Sequence, residues 1–281
     1  MTHAHWQAGR YLLDLSQPLV MGIVNLTPDS FSDGGHHDTA PAALRHCEKL
    51  LSEGAQILDI GGESSRPGAP HLSADEEWAR IQEVVREAVR FDVPISIDTY
   101  QPETMTRALD LGADIINDIR ALTAPGAVQV VAGHPNCGVC LMHMQGRPDS
   151  MQQAPRYQDP VHEVGQFLAE RAGVLTQRGV ASNRITLDPG YGFGKTPEHN
   201  LQILSRQTEL LDLGFPLLVG WSRKSTLGVL TGKPVEQRLA ASLAAALASI
   251  QLGARIVRVH DVSETVDAIK VWAAAGLIKS T

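Results

Sequence analysis

Eight short apolar runs punctuate this chain. Each breaks off in a polar or glycine-rich turn and then gives way to a longer helical pattern. They are "LVMGIVNLT" (19–27), "AQILDIGGESSRPG" (55–68), "VPISIDTYQP" (93–102), "ADIINDIRA" (113–121), "GVCLMHMQGRP" (138–148), "RITLDPGYGFGK" (184–195), "FPLLVGWSRKS" (215–225) and "ARIVRVHDV" (254–262). Runs this short, apolar on both parities, read as strands buried on both faces, as in a parallel sheet covered by helices. The intervening text has helical spacing. "TAPAALRHCEKLLSEGA" carries apolar residues at 40, 43, 44, 47, 50 and 51 and stops at a glycine. "SADEEWARIQEVVREAVR" opens with Ser73 and Glu76 at capping-box spacing. "PETMTRALDLGA", "YQDPVHEVGQFLAERAGVLTQRGV", "PEHNLQILSRQTELLDLG", "VEQRLAASLAAALASIQLGA" and "SETVDAIKVWAAAGL" follow the same plan, and "APGAVQVVAGHP" carries the poorest helical pattern.

Eight strand–helix alternations over about 250 residues predict an α/β fold, a single-domain (β/α)8 TIM barrel. The barrel is expected over 19–281, with 1–18 an N-terminal extension packed on its lower end or edge. A doubly wound open sheet would need fewer strands and a G-x-G-x-x-G turn after the first, which "VMGIVNL" does not lead into.

A net charge of −7 argues against a nucleic-acid or membrane-surface binder, since either partner calls for a basic patch. No apolar run reaches the ~18 residues of a membrane span and no leader pattern opens the chain, so a cytoplasmic protein is expected. Three cysteines give no disulfide framework. His134, Cys137, Cys140 and His143 are spaced like metal ligands, but "GVCLMHM" reads as a buried strand that would turn Cys140 and His143 to opposite faces.

In such barrels the working site lies at the carboxyl ends of the strands. In chain order those ends deliver Asn25; Asp59, Glu63, Ser64, Ser65 and Arg66; Asp98; Asn117; His143 and Gln145; Asp188; Ser222 to Ser225; then Arg258 and His260. Arg258 and His260 share one strand face, as do Ser96 and Asp98. Polar residues at one strand end are ordinary solvent caps, but the same chemistry at all eight points to a site. Asp98, Asn117 and Asp188 suit a flat, nitrogen-rich heterocycle with adjacent amino and ring N–H groups. Arg66, Lys224, Arg258 and His260 form a cationic half, suited to a phosphate or diphosphate. "DPGYGFGKT" fails as a P-loop because Pro189 stands where the first glycine belongs. The bland reading is a flexible βα loop; the favoured one places an exposed Phe193 beside the pocket as an aromatic wall, since flanking glycines leave a Phe no other packing reason.

"GIVNLTPDSFSDGG", "DIGGESSRPGA", "IDTY", "INDI", "LMHMQGRP", "DPGYGFGKT", "SRKS" and "RVHDV" make the chain resemble the dihydropteroate synthase family from Met21 to about Val262. The resemblance implies a TIM barrel, commonly a homodimer. It implies a transferase of folate biosynthesis that condenses 6-hydroxymethyl-7,8-dihydropterin diphosphate with 4-aminobenzoate to dihydropteroate and pyrophosphate, with Mg2+. Carried over, Asp98, Asn117, Asp188, Lys224 and Arg258 would hold the pterin, with Asp98, Lys224 and Arg66 closest to the chemistry. Asn25, Ser65, Arg66, Arg258 and His260 would meet the diphosphate, with Asn25 the protein ligand of Mg2+. Phe193, Ser225, Lys224 and Pro67 would line the aminobenzoate pocket, and Phe31 would sit in the first loop over the substrates. Three residues depart from the family's commonest pattern: Ser65 for a threonine, Trp221 for a small residue or methionine, and Tyr191. A pterin-binding methyltransferase-like barrel and an inactive paralogue remain as alternatives. The first should lack the cationic half.

Overall fold

The computed structural model describes residues 4–27, 39–64, 71–146 and 151–278. All eight apolar runs form parallel strands of one closed barrel. After a hairpin of β1 (His5–Ala8) and β2 (Tyr11–Asp14) come β3 (Leu19–Asn25), β4 (Ile57–Gly61), β5 (Ile95–Asp98), β6 (Ile115–Asp118), β7 (Gly138–Met142), β8 (Ile185–Asp188), β9 (Leu217–Val219) and β10 (Ala254–Val259). β10 pairs back onto β3 through Ile256 opposite Leu19 and Val259 opposite Gly22, which closes the ring. The helices are α1 (Thr39–Ser52), α2 (Ala74–Ala88), α3 (Pro102–Asp110), α4 (Ala127–Gly133), α5 (Pro160–Gln177), α6 (Pro197–Ser205), α7 (Ser225–Thr231), α8 (Leu239–Gln251) and α9 (Val262–Ala274).

Strand parity divides the apolar residues into two cores. Residues such as Val20, Val24, Leu58, Ile60, Ile97, Ile116, Leu187 and Val257 face outward into the layer under the helices. Leu19, Met21, Ile57, Ile115, Cys140, Leu218 and Ile256 face inward and fill the lower barrel. The hairpin seals that end. Trp6, Ala8 and Leu15 join the inward cluster, and the Trp6 indole N–H donates to the Arg184 carbonyl at 3.0 Å.

Local chemistry sets the helix boundaries. Ser73 and Glu76 exchange the two bonds of a capping box: the Ser73 N–H donates to Glu76 Oε2 at 2.8 Å, and the Glu76 N–H donates to Ser73 Oγ. Even the poorest pattern holds a helix, α4. Two segments differ from the sequence expectation. The "PEHNLQILSRQTELLDLG" helix ends at Ser205 and continues as 3-10 turns over Gln207–Leu213. The cause is Gln207, fully buried, whose amide donates to the Ser249 and Leu252 carbonyls at 2.9 and 3.1 Å and so draws the chain onto α8. A short helix, α7, also starts at Ser225, the last residue of "SRKS", where the sequence carries no periodic signal. Among the described residues no helix is long and apolar enough to cross a membrane.

Candidate active site

Above the apolar floor the barrel interior turns polar. Strand register sets Asp59 beside Ser96, Gly61 beside Asp98, and Asp98 beside Asn117, so carboxylates and amide form adjoining layers. Asp59 is completely buried in the middle of the otherwise apolar β4. A buried carboxylate needs donors, and Asp59 has three. Ser96 Oγ donates to Oδ1 at 2.6 Å; the Asn117 amide (3.2 Å) and Arg258 Nε (2.6 Å) donate to Oδ2. Arg258 then reaches upward, and its Nη2 donates to Asp98 Oδ2 at 2.8 Å. Asp59 thus holds both Asn117 and Arg258 from below. From the sequence Asp59 stands at a strand end with no assigned role. The available signal was a lone carboxylate inside "ILDIG".

Asp188 ends β8, and its Oδ1 accepts the Gly190 N–H at 2.7 Å. The turn is tight: a Cβ on Gly190, whose φ is +68°, would lie 2.0 Å from the His143 carbonyl oxygen. The loop that follows is pinned. Buried Lys195 donates to His143 Nδ1 (2.9 Å) and to the carbonyls of Gly190 and Phe193 (3.0 Å each). Phe193 is therefore not exposed as expected. It is 8% exposed and packs with Tyr100, Ile119, Met142 and Met151. It still presents its ring to the mouth, where Lys224 Nζ sits 3.9 Å from the ring centroid.

Lys224 is aimed by an unusual turn. Arg223 before it has φ +60°, a left-handed conformation that a non-glycine residue adopts only when its surroundings enforce it. Here Arg223 pairs with Asp261 (Nε to Oδ2 3.2 Å), its N–H donates to Ser242 Oγ at 3.0 Å, and its carbonyl accepts from Arg238 at 3.1 Å. Ser225, the first residue of α7, stands exposed at the rim. His260 follows β10; its Nδ1 lies 2.9 Å from Ser222 Oγ, which also accepts the His260 backbone N–H. The hydroxyl proton is then available to Nδ1, leaving the ring N–H on Nε2.

Burial dominates the electrostatics. It pushes the Asp98 carboxyl up to about 7, with Asp59 adding to the rise and Arg258 opposing it. Asp188 rises to about 6, again by burial, against the pull of the Gly190 N–H and Lys224. Burial and nearby Arg258 bring Lys224 down to about 8. His260 falls to about 3 through burial and the charge of Arg258. This corrects the cationic assignment of His260, which is a neutral donor here. Arg258 stays cationic, held between the Asp59 and Asp98 carboxylates.

The structure therefore brings Asp98, Asn117, Asp188, Lys224, Arg258, His260 and Phe193 to one mouth, with Asn25 ending β3 at the same rim. Ser65, Arg66, Pro67 and Phe31 lie outside the described residues. The residues of the metal-like spacing are occupied elsewhere. Cys140 is in the barrel floor, Cys137 Sγ accepts from Arg184 Nη2 at 3.2 Å, and His143 meets Lys195. Among the described residues no three His, Cys, Asp or Glu side chains group as a metal site. Asn25 offers one amide oxygen, a donor set that fits Mg2+ only if the ion keeps waters and takes phosphate oxygens from a ligand.

A family model described as "pterin binding enzyme" matches residues 21–260. Dihydropteroate synthase of Neisseria meningitidis serogroup B is 54% identical over 278 residues, spanning 97% of this chain and 98% of that protein. The fold is similar to Xanthomonas albilineans dihydropteroate synthase with 4-aminobenzoic acid (TM-score 0.92, 46% identity, 99% of this chain and 100% of the other). It is also similar to Burkholderia cenocepacia dihydropteroate synthase complexed with 7,8-dihydropteroate (TM-score 0.88, 47% identity, 98% of each chain).

Proposed function

The chain belongs to the pterin-binding enzyme family and is a dihydropteroate synthase, and from that premise we propose how its residues share the work. The observation that carries the reading is one barrel mouth holding Asp98, Asn117 and Asp188 against Arg258 and Lys224. The pterin's amino and ring N–H groups donate to the Asp98 and Asp188 carboxylates, while Asn117 both donates and accepts. Arg258 flanks the ring from its brace on Asp59, and Lys224 approaches from the opposite loop. Asn25, Ser65, Arg66, Arg258 and the Nε2–H of His260 receive the diphosphate. Phe193, Ser225, Pro67 and the stem of Lys224 line the arylamine pocket.

The bond between the pterin methylene and the diphosphate oxygen breaks, and its electron pair leaves with the diphosphate. The arylamine nitrogen supplies the pair for the new C–N bond and then releases a proton to water. Ionised Asp98 favours the positive charge that the pterin methylene develops, in a site where burial strengthens the interaction. An aryl amine is neutral near pH 7, so no side chain has to activate it. Mg2+, held by Asn25 and the diphosphate, would neutralise the leaving charge.

The proposal extends to assembly and place. Val229 and Leu230 on α7 are 68% and 54% exposed, and Val235 and Leu239 before and on α8 are 39% and 37% exposed. This apolar face supports a homodimer. Three buried, unpaired cysteines suit the reducing cytoplasm.

The test is an assay with pterin diphosphate, 4-aminobenzoate and Mg2+, with and without a chelator. Dihydropteroate is expected, with loss of turnover on chelation. Folded protein that forms none would sink the reading, and turnover indifferent to the chelator would remove the metal from it.

A further inference from the structure

Two loops meet around Lys224. The loop after β8 carries Phe193; the turn after β9 carries Lys224 and Ser225. The stem of Lys224 lies directly on the backbone of the first loop, since a Cβ on Gly192 would come within 3.0 Å of Lys224 Cδ. The spacing between the loops therefore sets the distance from the Phe193 ring to the ammonium.

One polar side chain bridges them. Asn200 lies in the first turn of α6, a place where asparagine ordinarily points to water, yet it is fully buried. Its Oδ1 accepts the Gly192 N–H at 2.9 Å. Its Nδ2 donates to Thr226 Oγ1 at 3.0 Å and to the Thr196 carbonyl at 2.9 Å. The amide thus ties the residue before Phe193 to the residue two beyond Lys224. A separate, apolar tie lies nearby. Tyr191 and Trp221 stack with ring centroids 4.1 Å apart and planes at 28°, and the Tyr191 hydroxyl donates to Gln207 at 3.0 Å. That stack keeps the loops packed if the polar tie is cut, so removal of Asn200 alters spacing without dissolving the region.

We propose that Asn200 is a positioning residue for the arylamine half of the site. It fixes the gap between Phe193 and Lys224 through the Gly192–Asn200–Thr226 bridge. This rests on the reading of that half as the arylamine pocket. Asn200 has no bond to Asp98, Asn117 or Arg258, which Asp59 braces from below, so it reaches the pterin pocket only through Lys224.

The full-length protein, N200A, T226V and the double variant are assayed with both substrates varied in turn. N200A is expected to raise the KM for 4-aminobenzoate about tenfold, as small misplacements near a reacting partner do. The KM for pterin diphosphate should stay within about twofold, with kcat largely kept. Thr226→Val removes only the hydroxyl and should move the same KM in the same direction. The double variant should be no worse than N200A, because both changes cut one bridge. Equal shifts in the two KM values, no shift, or strict additivity would overturn the proposal. If N200A does not fold, the KM split in T226V decides alone. An inactive wild type would instead sink the functional reading itself.

Discussion

A carboxylate that accepts hydrogen bonds from an arriving substrate must be ionised when the substrate comes, and Asp98 is held near the edge of that condition. Its burial pushes it up to about 7, while burial brings Lys224 beside it down to about 8. The signs are opposed. Below about 7 Asp98 gains a proton and loses an acceptor; above about 8 Lys224 loses its charge. Because kcat/KM reports groups of the free enzyme, its profile for pterin diphosphate should be a narrow bell with limbs near these two values. Lys224→Arg keeps a cation at every accessible pH, so its basic limb should disappear even if its maximum is lower. A basic limb unchanged in that variant would show that another group sets it. The same displacement makes Asp98 a pH-dependent burden on the fold. Its raised value favours the folded state at acid pH, and that support is withdrawn as the pH climbs through about 7.

At the scale of elements, the barrel separates stability from chemistry. The floor is lined by Leu19, Met21, Ile57, Ile115, Cys140, Leu218 and Ile256 and closed off by the β1–β2 hairpin. Trp6 is its largest plug, with no exposed surface and a satisfied indole N–H. Trp6→Ala should cost about 3–5 kcal/mol of stability, read by urea unfolding. Both KM values should remain unchanged below the transition. A shift of either KM in that variant would show that the floor and mouth are coupled. The plug also marks a limit of sequence reading. Eight buried strands were legible because each is a dense apolar run with a turn at its end. The hairpin was not, because "HWQAGRYLLD" is two four-residue strands whose alternation is too short to separate from coil. Asp98, Asn117, Asp188 and Arg258 were legible from their place at the carboxyl ends of the apolar runs, with parity sharpening Asp98 and Arg258. Asp59's place between Asn117 and Arg258 was not, because register between strands fixes it. Nor was the neutrality of His260, which depends on burial and on the charge of Arg258.

For the whole molecule, the question left by a closed barrel is why one flank stays apolar. The residues from Val229 to Ala240 are exposed apart from partly covered Arg238, and α8 continues with Ala244 outward. A helix as uniformly apolar as "LAASLAAALASIQ" is expected to be covered on more than one side, and here one side lies on the barrel. A second copy placed on this flank would bury Val229, Leu230, Val235 and Leu239 by a two-fold contact of the same patch on itself. Such a contact would also brace the short α7, whose first residue follows Lys224. Asp98, Asn117, Asp188, Lys224 and Arg258 already meet within one barrel. Sedimentation at micromolar concentration should therefore give a dimer for the wild type. Leu230→Asp, which puts two like charges across the axis of such a contact, should give a monomer. That monomer should keep kcat within about threefold, and any loss should appear in the KM for 4-aminobenzoate, the substrate proposed to sit nearest α7. A wild type that sediments as a monomer would leave the apolar flank without its proposed partner. A Leu230→Asp variant that stays dimeric would place the contact elsewhere on the barrel.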